Sequence, residues 1–248
     1  MKIIEPSVEL MREIDGVEVM KFIERCGRTC YQSEKNITED SAEKFVRNLI
    51  KRGHESVLEH YSATFKIICD RGVMAELTRH RLASFSVEST RYNNYEELTF
   101  IKPCFWEEDN SNFVIWKSQM KSIENTYSAL QENGQITFIE RARPEQARSI
   151  LPNSLKTEII MTANLREWRH ILKLRTAKDA HPQMRQVAGM ILKILKEKLP
   201  VIFEGGEVNE ESQSSSEGKV ESERRDRDSD VGAEDEKALS DKSAWKDS

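Results

Sequence analysis

The compositional break at Gly206 limits what this chain can fold into more than any other feature. From there to Ser248 the sequence reads GEVNEESQSSSEGKVESERRDRDSDVGAEDEKALSDKSAWKDS. Glu, Asp, Ser, Lys and Arg dominate it, and large apolar residues are nearly absent. Such a segment cannot bury enough apolar surface to offset the entropy lost on ordering, so residues 206–248 are expected to form a disordered, acidic, Ser-rich tail. It holds 14 acidic and 7 basic residues, a balance of −7 against −5 for the whole chain, so residues 1–205 carry about +2. The acidity belongs to the tail, and the remaining body is long enough for one substantial core.

No apolar run approaches the ~20 residues needed to cross a bilayer, and MKIIEPSVELMREID lacks the basic-then-apolar pattern of a leader. The expectation is a soluble, cytoplasmic protein without a membrane partner. Its cysteines, Cys26, Cys30, Cys69 and Cys104, suit a reducing compartment. Cys26 and Cys30 stand four residues apart with no two further ligands nearby, so they are expected to pack in the core rather than hold zinc.

The body reads as helices with a few strands. A short initial strand precedes a helix over Val17–Tyr31, and TEDS from Thr38 supplies cap chemistry for a second helix that stops at a glycine. In YSATFKIICD, Tyr61, Ala63, Phe65, Ile67 and Cys69 alternate with Ser62, Thr64 and Lys66, which predicts a strand with one buried face. Asp70 can cap the following helix, whose C-terminal end then carries Arg79, His80 and Arg81, where the helix dipole favours cations. Ser84–Thr99, rich in hydroxyls and Asn, reads as an extended loop. A long helix over Asn110–Gly134 ends at Asn-Gly, RPEQARSIL opens another with Pro144 in its first turn, and LKTEIIMTAN is a strand. LREWRHILKLR and HPQMRQVAGMILKILKEKLP are helices. No internal repeat occurs, and the balance of elements predicts the α+β class.

The stretch RHRLASFSVESTRYNNY concentrates guanidinium groups beside hydroxyls. Arg offers a bidentate fork and hydroxyls complete a cradle, a combination suited to phosphate. A second set, Arg148, Arg166, Arg169, Arg175 and Arg185, lies on or beside apolar segments. Cations at a core edge need partners, which are either acids such as Glu145 and Glu167 or an anionic ligand. Two competing chemistries lack their signatures. His54 and His60 in GHESVLEH are six apart, not the four of a zincin helix, so no metal is expected, and no G-x-S-x-G elbow accompanies His80 and its neighbouring serines. The small positive balance and the absence of known nucleic-acid motifs favour an enclosed small anion over a polynucleotide.

These residues resemble a known family. Arg79-His80-Arg81, then LASFSVE, then Ser89, continued by Arg91-Tyr92, is similar to the signature of the flavin-dependent thymidylate synthases. GHESVLEH before a strand, RPEQARSILP, TAN with LREWRHILKLR, and the H-P-Q start of the last long helix occur in that family's order, and the resemblance runs from about Lys2 to Phe203. It implies the thymidylate synthase-complementing protein fold, a central mixed or antiparallel sheet flanked by helices, assembled as a homotetramer with FAD sites between subunits. The implied reaction is reductive methylation of dUMP to dTMP, with 5,10-methylenetetrahydrofolate as carbon donor and NADPH as reductant.

The resemblance also implies residue roles. Glu76, Leu77, Thr78, Arg79, Val87, Glu88, Ser89, Thr90, Arg91, Arg148 and Arg175 correspond to dUMP-binding positions. Arg175 is the implied catalytic residue, binding the uracil ring and favouring its ionisation. His54, Ser56, Arg79, His80, Arg81, Val87, Asn164, Leu165, Arg166 and His170 correspond to FAD contacts. Two positions depart from the family's usual residues. Glu76 stands where Gln is common and calls for neutralisation by Arg79 or Arg91, while Val87 replaces Glu or Gln and can offer a ligand only its backbone. The competing reading is a non-catalytic nucleotide or single-stranded nucleic-acid binding protein on the same fold.

Overall fold

The alternation that starts at Tyr61 becomes the centre of the structure. The computed structural model describes residues 1–131 and 142–204. In chain order, β1 (Lys2–Ile4) and β2 (Ser7–Leu10) precede α1 (Gly16–Thr29) and α2 (Ser41–Lys51). Next come β3 (Ser62–Asp70), α3 (Arg71–Leu77), β4 (Ala83–Val87), β5 (Thr99–Ile101) and α4 (Ser111–Gln131). Then follow α5 (Pro144–Ala147), β6 (Lys156–Asn164), α6 (Leu165–Arg175), α7 (Pro182–Lys198) and α8 (Pro200–Phe203).

Four strands form an antiparallel sheet in the order β2-β3-β6-β4, while β1 and β5 pair in parallel as a separate ribbon. Side chains on β3 and β6 alternate between faces. Ala63, Phe65, Ile67 and Cys69 point with Thr157, Ile159, Met161 and Ala163 into the core. Against them pack Ile23 of α1, Val46 of α2, Trp168 and Ile171 of α6, and Val187 and Ile191 of α7. Each such fully buried side chain contributes about 1.5–3 kcal/mol. Trp168 sets its ring edge-on to Phe65 at 5.1 Å and donates its indole N–H to the Ala63 carbonyl at 3.0 Å, so this large side chain carries α6 onto the sheet with its polar atom satisfied. A second core of Leu98, Phe100, Met120, Tyr127, Ala147 and Leu155 lies under α4.

Asp70 caps α3 as expected, its Oδ1 accepting from Val73 N–H at 2.8 Å, and Gly53 ends α2 at φ +72°, a backbone angle that favours glycine. Several expectations change. The initial strand is two, split at Pro6, with β1 on β5 and β2 on β3. The second helix starts at Ser41, because the Ser41 hydroxyl accepts from Thr38 N–H at 2.9 Å and closes the TEDS turn on itself. Helix α3 ends at Leu77, so Arg79, His80 and Arg81 form the turn into β4 rather than its last turn. The expected loop at Ser84 is strand β4. Its hydroxyls occupy only the outer face, while Ala83, Phe85 and Val87 pack inward against the core. RPEQARSIL makes one turn of α5 and then a 3₁₀ turn, Arg148–Ile150.

Cys30 is exposed and Cys26 only half-buried, which corrects the expectation that both pack in the core. The buried stripe of α1 runs Val19, Met20, Ile23, Gly27, and the helix stops at Thr29 before that stripe could enclose Cys30. The Asn133-Gly134 stop and the tail at 206–248 lie outside the described residues. Among the described residues no helix is long and apolar enough to cross a membrane.

Candidate active site

Three groups of the expected site residues can be followed from the elements that carry them. The first gathers where the end of α6 meets the end of α3. Asn164 Oδ1 accepts from Glu167 N–H at 2.8 Å and fixes the first turn of α6. Its last residue, Arg175, is anchored at three points. Nε donates to His80 Nε2 at 3.0 Å, Nη1 to Glu76 Oε2 at 2.7 Å, and Nη2 to the Glu76 carbonyl at 3.3 Å. Glu76 is therefore neutralised by Arg175, not by Arg79 or Arg91.

Because a guanidinium only donates, His80 Nε2 must accept, and the ring is neutral with its proton on Nδ1. That nitrogen faces Glu167 Oε1 at 3.7 Å, and both side chains are buried, at 7 % and 8 % exposure. Burial, reinforced by the charges of Arg175 and His170, lowers the His80 pKa to about 4. The His170 ring stands edge-on to it at 6.2 Å.

The second group lies at one end of the sheet. Ser62 pairs with Asn164 and Ala83 with Ala163, so the approach to β3, the exit from β6 and the turn into β4 share that end. The 3₁₀ turn Glu55–His60 is tied to α6 by Glu55 to Arg169 at 3.1 Å and Glu59 to Arg166 at 2.5 Å. His54, Ser56, Arg79, Arg81, Arg166 and His170 are exposed. Among the described residues the Arg79 and Arg81 guanidiniums meet no carboxylate.

The third group lies past the other end of β4. Glu88 accepts from the Tyr95 hydroxyl at 2.8 Å, and from Lys156 Nζ and Glu158 N–H at 3.1 Å each. That carboxylate pins the segment that follows. Ser89 Oγ accepts from Arg91 N–H at 3.2 Å, Thr90 is buried, and Arg91 Nε donates to Glu145 Oε2 at 3.2 Å. Glu145 sits on α5, so this pair draws Ser89–Arg91 toward the exposed Arg148, whose guanidinium also meets no carboxylate among the described residues.

Of the residues expected to hold dUMP, Glu76, Arg79 and Arg175 stand together and Ser89, Thr90, Arg91 and Arg148 stand together. Along the chain the five residues of β4, a span of about 16 Å, lie between Arg79 and Ser89. Leu77 and Leu165 are fully buried, leaving only their backbones to face a ligand. The acids that satisfy the arginines are Glu55, Glu59 and Glu76, while Glu145 and Glu167 serve Arg91 and His80 instead. More than 90 residues separate each of Arg166, Arg169 and Arg175 from its partner, and no local spacing signals such pairs. Tyr95 and Lys156, which hold Glu88 from 7 and 68 residues away, follow no regular helix or strand spacing either. Among the described residues no group of three His, Cys, Asp or Glu side chains is arranged to hold a metal ion.

Residues 14–201 match the thymidylate synthase complementing protein family. The probable flavin-dependent thymidylate synthase of Mycobacterium phage L5 is 33% identical over 203 residues, 77% of this chain and 81% of that protein. The flavin-dependent thymidylate synthase of Pyrococcus furiosus is 34% identical over 187 residues, 73% of each chain. Among solved structures, the UMP/dUMP methylase PolB from Streptomyces cacaoi shares the fold with a TM-score of 0.66 at 23% identity, covering 82% of this chain and 96% of that one. The chain belongs to the thymidylate synthase complementing protein family, that of the flavin-dependent thymidylate synthases.

Proposed function

We propose that this chain converts dUMP to dTMP, taking the carbon from 5,10-methylenetetrahydrofolate, with FAD as cofactor and NADPH as reductant. The observation that carries the reading is the three-point anchorage of Arg175. Three of its five N–H groups are engaged, which leaves two for a ligand in a fixed direction. A guanidinium so held beside a pyrimidine stabilises negative charge as it develops on the ring and makes C5 more nucleophilic. C5 then bonds the methylene carbon as one of that carbon's two bonds to folate nitrogen breaks, its electron pair going to the nitrogen, and C5 loses its proton, so no enzyme nucleophile is needed. Ser89 acts as a ligand for the nucleotide. The names of the relatives support flavin dependence and dTMP formation, and the PolB structure holds 5-Br dUMP.

The residues present fit FAD. Arg79 and Arg81 are exposed cations without carboxylate partners among the described residues, the donors a diphosphate requires, and His54, Ser56, Asn164, Arg166 and His170 share their end of the sheet. Bound FAD would supply the two electrons that take the transferred methylene to a methyl group. Arg79 and Arg81 would hold its phosphates, and the Asn164 cap would keep α6 in register beneath it.

Strand β4 lies between Arg79 and Ser89 along the chain, and among the described residues Arg175 is bonded to His80 and Glu76 whereas Arg91 is bonded to Glu145, which supports a nucleotide site shared between chains. A homotetramer with sites between subunits joins the first set from one copy to the second set from another. The test is to supply dUMP, methylenetetrahydrofolate and NADPH together, measure dTMP, and omit each in turn. The expected result is dTMP only from the complete mixture and a protein that purifies with bound flavin. A protein without flavin, or turnover that survives omission of the folate, overturns the reading.

A further inference from the structure

We infer that Glu167 is a positioning residue, acting through His80 to fix the direction in which Arg175 presents its guanidinium. The inference rests on the reading of Arg175 as the group that faces the pyrimidine. Arg175 Nε–H can meet His80 Nε2 at 3.0 Å only while Nε2 carries no proton. The neutral ring has two tautomers, and only the one protonated at Nδ1 leaves Nε2 free to accept. Glu167 Oε1 stands 3.7 Å from Nδ1, and at that separation, between two buried groups, a carboxylate favours the N–H on the nitrogen facing it.

The other charged or titratable groups around this ring are Arg175 and His170 on α6, and Glu76 on α3 through Arg175. None of them supplies a carboxylate to Nδ1. The Glu167 backbone is fixed at the start of the helix that ends at Arg175, where its N–H donates to Asn164 Oδ1, and its side chain is buried. The two ends of α6 are thus linked a second time, through space, by one imidazole on the turn after α3.

The test uses the flavin-loaded full chain carrying Glu167→Gln, Glu167→Asp, His80→Gln, or Glu167→Gln with His80→Gln. Gln has the volume of Glu, but its amide can offer N–H to Nδ1 and so drive the ring to the Nε2–H form, which opposes Arg175. Nitrogen NMR of labelled histidine reads the tautomer, and kinetics give kcat and the KM for dUMP. In the wild type His80 is expected as Nδ1–H. Glu167→Gln should move it to Nε2–H and lower kcat about 10²-fold, with flavin content retained. Glu167→Asp keeps a carboxylate and should restore both the tautomer and most of kcat.

His80→Gln places an amide oxygen where Nε2 stood and has no tautomer to set. Adding Glu167→Gln to it should leave kcat where His80→Gln alone puts it. A wild-type Nε2–H ring, or a Glu167→Gln protein with unchanged tautomer and kcat, overturns the inference. A wild type that makes no dTMP defeats the functional reading instead, and the NMR comparison still decides the role of Glu167.

Discussion

Arg175 donates through Nε to Nε2 of His80 across 3.0 Å, so the cation ending α6 leans on a neutral imidazole as well as on the acid Glu76. That geometry aims the remaining N–H groups rather than merely neutralising the charge. Arg175→Ala should lower dTMP formation at least about 10³-fold, while flavin content stays near wild type. Arg175→Lys should recover little, because an ammonium cannot reach His80 and Glu76 at once with a planar fork. Single-turnover dTMP formation, with flavin absorption as the control, checks both.

The same imidazole makes stability depend on pH. In the unfolded chain His80 titrates near the ordinary value of 6.5, whereas in the fold burial holds it at about 4. As the pH falls below 6.5 the unfolded state takes up a proton that the folded state refuses. Each pH unit in that window therefore costs about 1.4 kcal/mol, and the loss levels off near pH 4 at about 3 kcal/mol. Urea unfolding at about pH 7.5 and about pH 5 should show this slope in the wild type and a shallower one in His80→Gln.

Glu76 is a carboxylate at the mouth of a site that is to hold a dianion. Its charge is matched by Arg175 in the free protein, and an incoming nucleotide must share that cation. Glu76→Gln keeps an oxygen for Arg175 and removes the repulsion, so the KM for dUMP should fall about tenfold. The pair is partly exposed, so the change should cost under about 1 kcal/mol of stability. Steady-state kinetics with a thermal melt separates the two effects, and an unchanged or higher KM counts against Glu76 as a nucleotide neighbour.

What could be read from the sequence follows the range of each interaction. The strand from Ser62 to Asp70, the Asp70 cap and the Leu165–Arg175 helix depend on neighbours within a turn or a pleat, and periodicity exposed all three. The strand at Ala83–Val87 was equally local, yet its serines masked the alternation of Ala83, Phe85 and Val87. The pairs that shape the site join residues such as Glu76 and Arg175, 99 positions apart, which only the folded sheet brings together. The resemblance implied Arg175 for the nucleotide and His80 for the flavin, while the contact between the two, Glu76 as the partner of Arg175 and Glu167 at the far side of His80 come from the fold.

Glu88 tests whether the segment after β4 is pinned from below. Its carboxylate takes hydrogen bonds from Tyr95, Lys156 and Glu158 N–H, and burial together with the Glu88 bond pushes the Tyr95 hydroxyl well above its ordinary range. Glu88→Ala leaves a half-buried N–H and a phenol unpaired and should cost about 2 kcal/mol, seen as a lower denaturation midpoint. Through the released Ser89–Arg91 it should also raise the KM for dUMP. Flavin content should not change, because that end of the sheet lies a strand away.

The separation of the two arginine sets gives the sharpest test of a shared site. Arg79→Ala and Arg148→Ala remove one residue from each set, and each variant alone should form almost no dTMP. If both residues serve one nucleotide within a single chain, no mixture of the two variants can contain an intact site. If the site joins one copy's Arg79 to another copy's Arg148, random reassembly leaves about a quarter of the sites with both arginines present. Co-refolding or co-expression of the two inactive variants should therefore restore dTMP formation to about that fraction of wild type, and recovery should disappear when both substitutions sit on the same chain. Mixtures that stay inactive despite forming mixed oligomers would show that no site joins Arg79 of one copy to Arg148 of another.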